Sequence, residues 1–74
     1  AMAGLMQSAP AYAKADQALA AAQKDDFVSA RSLVNEAIRM EPREARFHQL
    51  LGEIEAARKN PELALTHFNK AQQL

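Results

Sequence analysis

Apolar side chains recur every three or four residues along most of this chain, and three short polar or proline-bearing breaks interrupt them. Tyr12, Ala15, Ala18, Leu19 and Ala22 form one stripe on a 3.6-residue helix. A first helix is therefore predicted from Pro10 to about Lys24, with Pro10 in first position and Ser8 or Ala9 as the cap. Alanine dominates this stripe, so the helix is well formed locally but buries little area. Asp25-Asp26 suits a turn followed by an N-cap, and a second helix is predicted from near Phe27. It carries Phe27, Ala30, Leu33, Val34, Ala37 and Ile38 on one face, with Arg31, Asn35, Glu36 and Arg39 opposite. Met40-Glu41-Pro42 ends it, because Pro42 disfavours the helical state at Glu41. A third helix is predicted from about Pro42 to Arg58, striped by Phe47, Leu50, Leu51, Ile54 and Ala57. Asn60-Pro61 supplies the last turn, with Asn60 as cap. A fourth helix then runs to the end through Leu63, Ala64, Leu65, Phe68 and Ala71.

The pattern repeats. Displaced by 34 residues, Gly52 falls on Ala18, Ala64 on Ala30, Phe68 on Val34 and Ala71 on Ala37. Small residues at fixed places with a bulky one between them let two antiparallel helices touch at one level and interlock at another. Gly52 lies inside a helix, where it costs about 1 kcal/mol relative to alanine, so a close approach by Ala64 is expected to justify it.

A 34-residue period with these residues resembles the tetratricopeptide repeat. The second repeat matches at Leu51, Gly52, Ala64, Phe68 and Ala71, the first at Ala18, Phe27, Ala30, Ala37 and Pro42. Lys14 and Gln17 stand where that family has bulky apolar residues, and Ala21 and Glu55 replace its customary aromatic. The resemblance implies an all-α fold of two antiparallel helical hairpins, a four-helix solenoid wound in a right-handed superhelical sense. Residues 10–74 would form the domain, with repeats at about 11–44 and 45–74; residues 1–9 are expected to be a cloning remnant or the end of a preceding helix. The runs EPREARFHQLLGE and NPELALTHFNKA are also similar to the C-terminal tetratricopeptide segment of bacterial periplasmic zinc metalloproteases of the HEXXH type. That likeness implies a non-catalytic accessory segment in the periplasm, one that shields or supplies substrates and contacts outer-membrane assembly machinery.

Composition narrows the function classes. A chain of 74 residues makes one domain at most and hides only about 60% of the surface its unfolded form exposes. It has no cysteine, which excludes disulfides and thiolate metal sites. Nine basic and nine acidic side chains alternate along it, so there is no basic footprint for nucleic acid. The longest apolar run, Ala18 to Ala22, falls far short of the roughly 20 residues of a membrane span.

The candidate chemistry is sparse. His48 and His67 lie on different helices and outside any nucleophile, metal or acid–base motif. Glu44 and His48, four residues apart, supply two ligands where a stable zinc site uses three or four. Glu44 is expected in the first turn of its helix, His48 beside the apolar stripe and His67 partly exposed beside Phe68. Catalytic, cofactor and metal residues are therefore none, with a small metal-binding or enzymatic domain as the alternative of another class. Protein or peptide binding is the leading expectation.

In tetratricopeptide arrays the first helix of each hairpin lines a concave groove, which the resemblance places at Tyr12, Ala15, Asp16, Leu19, Ala22 and Gln23, then Arg46, Gln49, Leu50, Glu53, Ala56 and Ala57. A clamp for carboxylate tails is disfavoured, because Ala15, Leu19 and Leu50 occupy the places of its lysines and asparagines. Leu63, Leu65 and Phe68 on the fourth helix have no later helix to cover them, so self-association there is the alternative use.

Overall fold

A computed structural model describes Met2 to Leu74, with side chains described from Ala9 onward. Four helices follow one another: α1 (Met2–Gln23), α2 (Phe27–Met40), α3 (Ala45–Ala57) and α4 (Pro61–Gln73). α1 packs along α2 and α3 along α4, making two antiparallel hairpins. α3 is seated against the first hairpin, touching both α2 and α1, whereas among the described residues α4 packs on α3 alone. The fold is thus all-α, two stacked helical hairpins.

Both hairpins close with the same hydrogen bonds one period apart. After α1, the Asp25 N–H donates to the Ala22 carbonyl and the Asp26 N–H to the Ala21 carbonyl, each at 2.9 Å. After α3, the Lys59 N–H donates to Ala56 at 3.0 Å and the Asn60 N–H to Glu55 at 2.9 Å. These paired bonds satisfy the last carbonyls of each helix and require a left-handed residue between them. Asp25 and Lys59 take that conformation, with φ of 62° and 67°. Asp26 then caps α2, its carboxylate accepting from the Ser29 N–H at 3.2 Å. The Ser29 hydroxyl first, and this backbone N–H second, hold the Asp26 carboxyl below its usual range. Asn60 takes the corresponding place before α4, with Pro61 as first helical residue, yet its side chain makes no cap bond and turns instead toward Glu55.

Two helix starts differ from the sequence expectation. α1 begins at Met2 and carries Pro10 inside it, so Pro10 is not its first residue and neither Ser8 nor Ala9 is its cap. Proline in a helix interior costs about 3 kcal/mol. Helix formers on either side, Leu5, Met6, Gln7, Ala9 and Ala11, favour continuing through it. α3 begins at Ala45 rather than Pro42. Pro42 and Arg43 form a turn, and Glu44 is the N-cap, its carboxylate accepting from the Arg46 N–H at 3.2 Å. A carboxylate that can satisfy a free N–H stops the helix there, three residues after the Glu41 that ends α2.

The core lies between the first hairpin and α3. Ala18, Ala30 and Val34 surround Leu51 and Ile54, while Ala11, Ala15 and Ala37 surround Phe47. The alanines let α1 and α2 approach closely, and the three large side chains of α3 fill what remains. Of the repeat positions, Ala18, Ala30, Val34, Ala37, Gly52 and Ala64 are buried, Phe68 and Ala71 half-buried, and Pro42 exposed in its turn. At Gly52 the close approach expected from Ala64 comes chiefly from another residue. A Cβ there would stand 2.6 Å and 2.7 Å from the Cε1 and Cδ1 of the Phe68 ring, and 3.1 Å from the Ala64 carbonyl oxygen.

Candidate functional site

α1 and α3, the first helices of the two hairpins, lie side by side and present one face of the molecule. Toward the start of α3, Tyr12 and Phe47 meet edge to face with ring centroids 5.1 Å apart. The Arg46 guanidinium stands over the Tyr12 ring, 5.1 Å from its centroid, and donates to the phenolic oxygen at 3.2 Å. The Tyr12 hydroxyl in turn donates to the Glu44 carboxylate. That bond first, and the Arg46 backbone N–H second, hold the Glu44 carboxyl below its usual range despite some burial. The same hydroxyl, then Glu44, hold the Arg46 guanidinium more firmly protonated.

Toward the other end of the face, Leu19, Ala22 and Gln23 of α1 meet Leu50, Glu53 and Ile54 of α3 around a concavity of about 210 Å³. Leu19 is 46% exposed although it carries a large apolar side chain, and Leu50 is half-buried beneath it. Asp25 and Glu53 also line it, and among the described residues neither is held in an ion pair. Apolar side chains with acids beside them suit an apolar side chain flanked by a hydrogen-bonding or cationic group.

The residues chosen from sequence thus divide. Leu19, Gln23, Leu50 and Glu53 come together at one concavity, and Tyr12 and Arg46 come together with each other. Asp16 and Gln49 are exposed and lie in neither group, while Ala15 is buried in the core rather than lining the face. Ala22 and Ala57 line the concavity, and Ala56 faces the opposite side with α4.

Glu44 and His48 do not converge on a common point. Glu44 is engaged by Tyr12 and by the Arg46 N–H, and the His48 Nε2 lies 2.9 Å from the Pro42 carbonyl oxygen. Since a carbonyl only accepts, that nitrogen carries the proton. Among the described residues no group of three or more metal-binding side chains is assembled. His67 is half-buried on α4; burial first, and the nearby His48 and Arg31 charges after it, lower its pKa, with Glu55 opposing.

Sequence reasoning missed the centre of the polar network. Glu55 is 1% exposed and accepts from Arg31 Nε and Arg58 Nη1 at 2.8 Å each, and from Asn60 Nδ2 at 3.2 Å. It joins α2, α3 and the turn before α4 through a single carboxylate. Burial pushes its pKa up, but hydrogen bonds from Asn60 and Arg58 and the charges of Arg31 and Arg58 outweigh that and hold it below the usual range. A signal existed in the sequence: an acid one residue after Ile54, on the buried side of α3, with Arg58 one turn on.

Fold and face together define an all-α protein of two stacked hairpins whose first helices form a shallow, partly apolar surface. No family model matches the chain, and neither a curated protein nor a solved structure matches it. No helix among the described residues is long and apolar enough to cross a membrane.

Proposed function

We propose that this chain is a protein-interaction module of the tetratricopeptide kind, binding a peptide or partner segment along the face made by α1 and α3. The observation that carries this reading is the meeting of Leu19 and Gln23 with Leu50 and Glu53 around one open concavity. Leu19 and Gln23 of α1 with Leu50 and Glu53 of α3 give each helix one apolar and one polar group at this concavity, and Leu19 and Glu53 are equivalent by the 34-residue period. Such a surface orients an extended chain by its polar groups and holds it by its apolar ones. The reading assigns no catalytic step to this chain. The runs from Glu41 to Glu53 and from Asn60 to Ala71 further support a role as accessory segment of a bacterial periplasmic zinc metalloprotease.

Selection of binders from a random peptide library, with counter-selection on Leu19→Arg, tests the groove. Leu19 is already half in water, so this variant keeps the fold while filling the concavity with charge. Peptides that bind the parent chain and lose about tenfold or more on the variant support the reading. Selected peptides that bind both equally refute it. Self-association through Leu65 and Phe68 concerns the opposite face and is read separately from the solution mass across a concentration series.

A further inference from the structure

An apolar concavity lies away from the α1 and α3 face, on the outer side of the second hairpin. It measures about 640 Å³ and is lined by Ala56, Lys59, Pro61, Ala64, Leu65 and Phe68. One period earlier these positions are Ala22, Asp25, Phe27, Ala30, Arg31 and Val34. Four of those six, Ala22, Phe27, Ala30 and Val34, belong to the cluster that holds Leu51 and Ile54 of α3, and a fifth, Arg31, binds Glu55 of α3. The outer concavity therefore repeats the seat that the first hairpin offers to α3.

We infer that this second seat takes an amphipathic helix from another protein, with bulky apolar residues at i, i+3 and i+4. The internal interface supplies the pattern. Leu51 and Ile54 are its i and i+3, and Glu55 is its i+4, paired with Arg31 at 2.8 Å. Where the first seat has Arg31, the second has Leu65, which is 59% exposed. The acid that suits the first seat would be buried against leucine in the second, so the incoming helix needs an apolar residue there. Where the first seat has Asp25, the second has Lys59, which favours an acid on the incoming helix near the Lys59 rim. A second copy of this chain does not meet the description in the same register. Its α1 brings Gln17, Ala20 and Ala21 to the places of Leu51, Ile54 and Glu55. Those side chains are too small and too polar to fill an apolar seat of this size.

The probe is a labelled, end-blocked peptide with the sequence of residues 43–59 carrying Glu55→Leu, titrated into the intact chain. Fluorescence anisotropy gives its affinity, and amide chemical shifts locate it. The expected result is binding with shifts centred on Ala64, Leu65 and Phe68, weakened about tenfold or more when Leu51→Ala and Ile54→Ala are added to the peptide. Leu65→Arg in the chain restores the arrangement of the first seat, and should reverse the preference about tenfold toward the peptide that retains Glu55. Three results overturn the inference. They are no binding by the Glu55→Leu peptide, shifts centred on Ala30 and Val34 (the peptide having displaced α3), or concentration-dependent dimerisation of the free chain that Leu65→Arg abolishes. The last would make a second copy the occupant.

Discussion

Gly52→Ala separates packing from helix propensity more sharply than any other substitution in this chain. Alanine in place of glycine within a helix should stabilise by about 0.8–1 kcal/mol. Here the added methyl would stand 2.6–2.7 Å from two carbons of the Phe68 ring and 3.1 Å from the Ala64 carbonyl oxygen. The ring is half-buried and can shift at some cost, but the carbonyl belongs to the backbone of α4 and yields only if the helix moves. Overpacking of this kind costs about 1–3 kcal/mol, so the net expectation is a loss of about 1 kcal/mol. In a domain of this size that lowers Tm by about 4–8 °C. The decisive comparison uses Phe68→Ala as background. With the ring gone only the carbonyl contact remains, and Gly52→Ala becomes neutral or stabilising, giving a coupling of about 1–2 kcal/mol between the two sites. Urea unfolding of the parent, both single variants and the double variant measures it. A Gly52→Ala variant more stable than the parent, or strict additivity with Phe68→Ala, would refute the close approach of α3 and α4 at this level.

Acid should loosen the molecule in two stages. The folded state depresses the His67 pKa from its ordinary 6.5, so its contribution is complete above that pH and declines as pH falls toward the folded value; His67→Gln should remove this first stage from a plot of Tm against pH. Glu55 is likewise depressed from 4.5, so its contribution is complete above that pH and lost as pH falls through the lower folded value, with Glu44 and Asp26 adding in the same direction. At neutral pH Glu55→Gln leaves Arg31 and Arg58 without their carboxylate and should cost about 2 kcal/mol by denaturant unfolding. Tyr12→Phe keeps the edge-to-face contact with Phe47 but loses the hydroxyl shared by Glu44 and Arg46, and should lower stability by about 1 kcal/mol in the same assay. Lys59→Gly should stabilise by about 0.5–1 kcal/mol, since glycine meets no Cβ penalty at φ 67°, and no gain in calorimetry would contradict the left-handed closure of α3.

The fold was legible wherever local chemistry and packing agree. Asp26 caps a helix in a peptide for the same reason it does here, and Pro61 fits a first turn whatever surrounds it. Alanine at positions 18, 30 and 37 pointed to close helix contact because small residues recur at Gly52, Ala64 and Ala71 one period on. Pro10 and Pro42 misled for one shared reason: proline permits a helix start without requiring one. Neighbouring helix formers carry α1 through Pro10, and the Glu44 carboxylate draws the start of α3 past Pro42. The site was only partly legible, because periodicity tells which residues share a face and not which of them satisfy one another. The repeat resemblance places Tyr12 and Arg46 along the binding face, and the two engage each other there. Glu55 read as a departure from a repeat pattern, while its role depends on Arg31, which is 24 residues away along the chain.

Whether the α1 and α3 face receives a partner segment, as proposed, is read from a chemical-shift map of the chain with a peptide selected on it. Saturable shifts centred on Leu19, Gln23, Leu50 and Glu53, fading along α2, are expected. Shifts centred elsewhere, or spread evenly without saturation, would contradict the proposal.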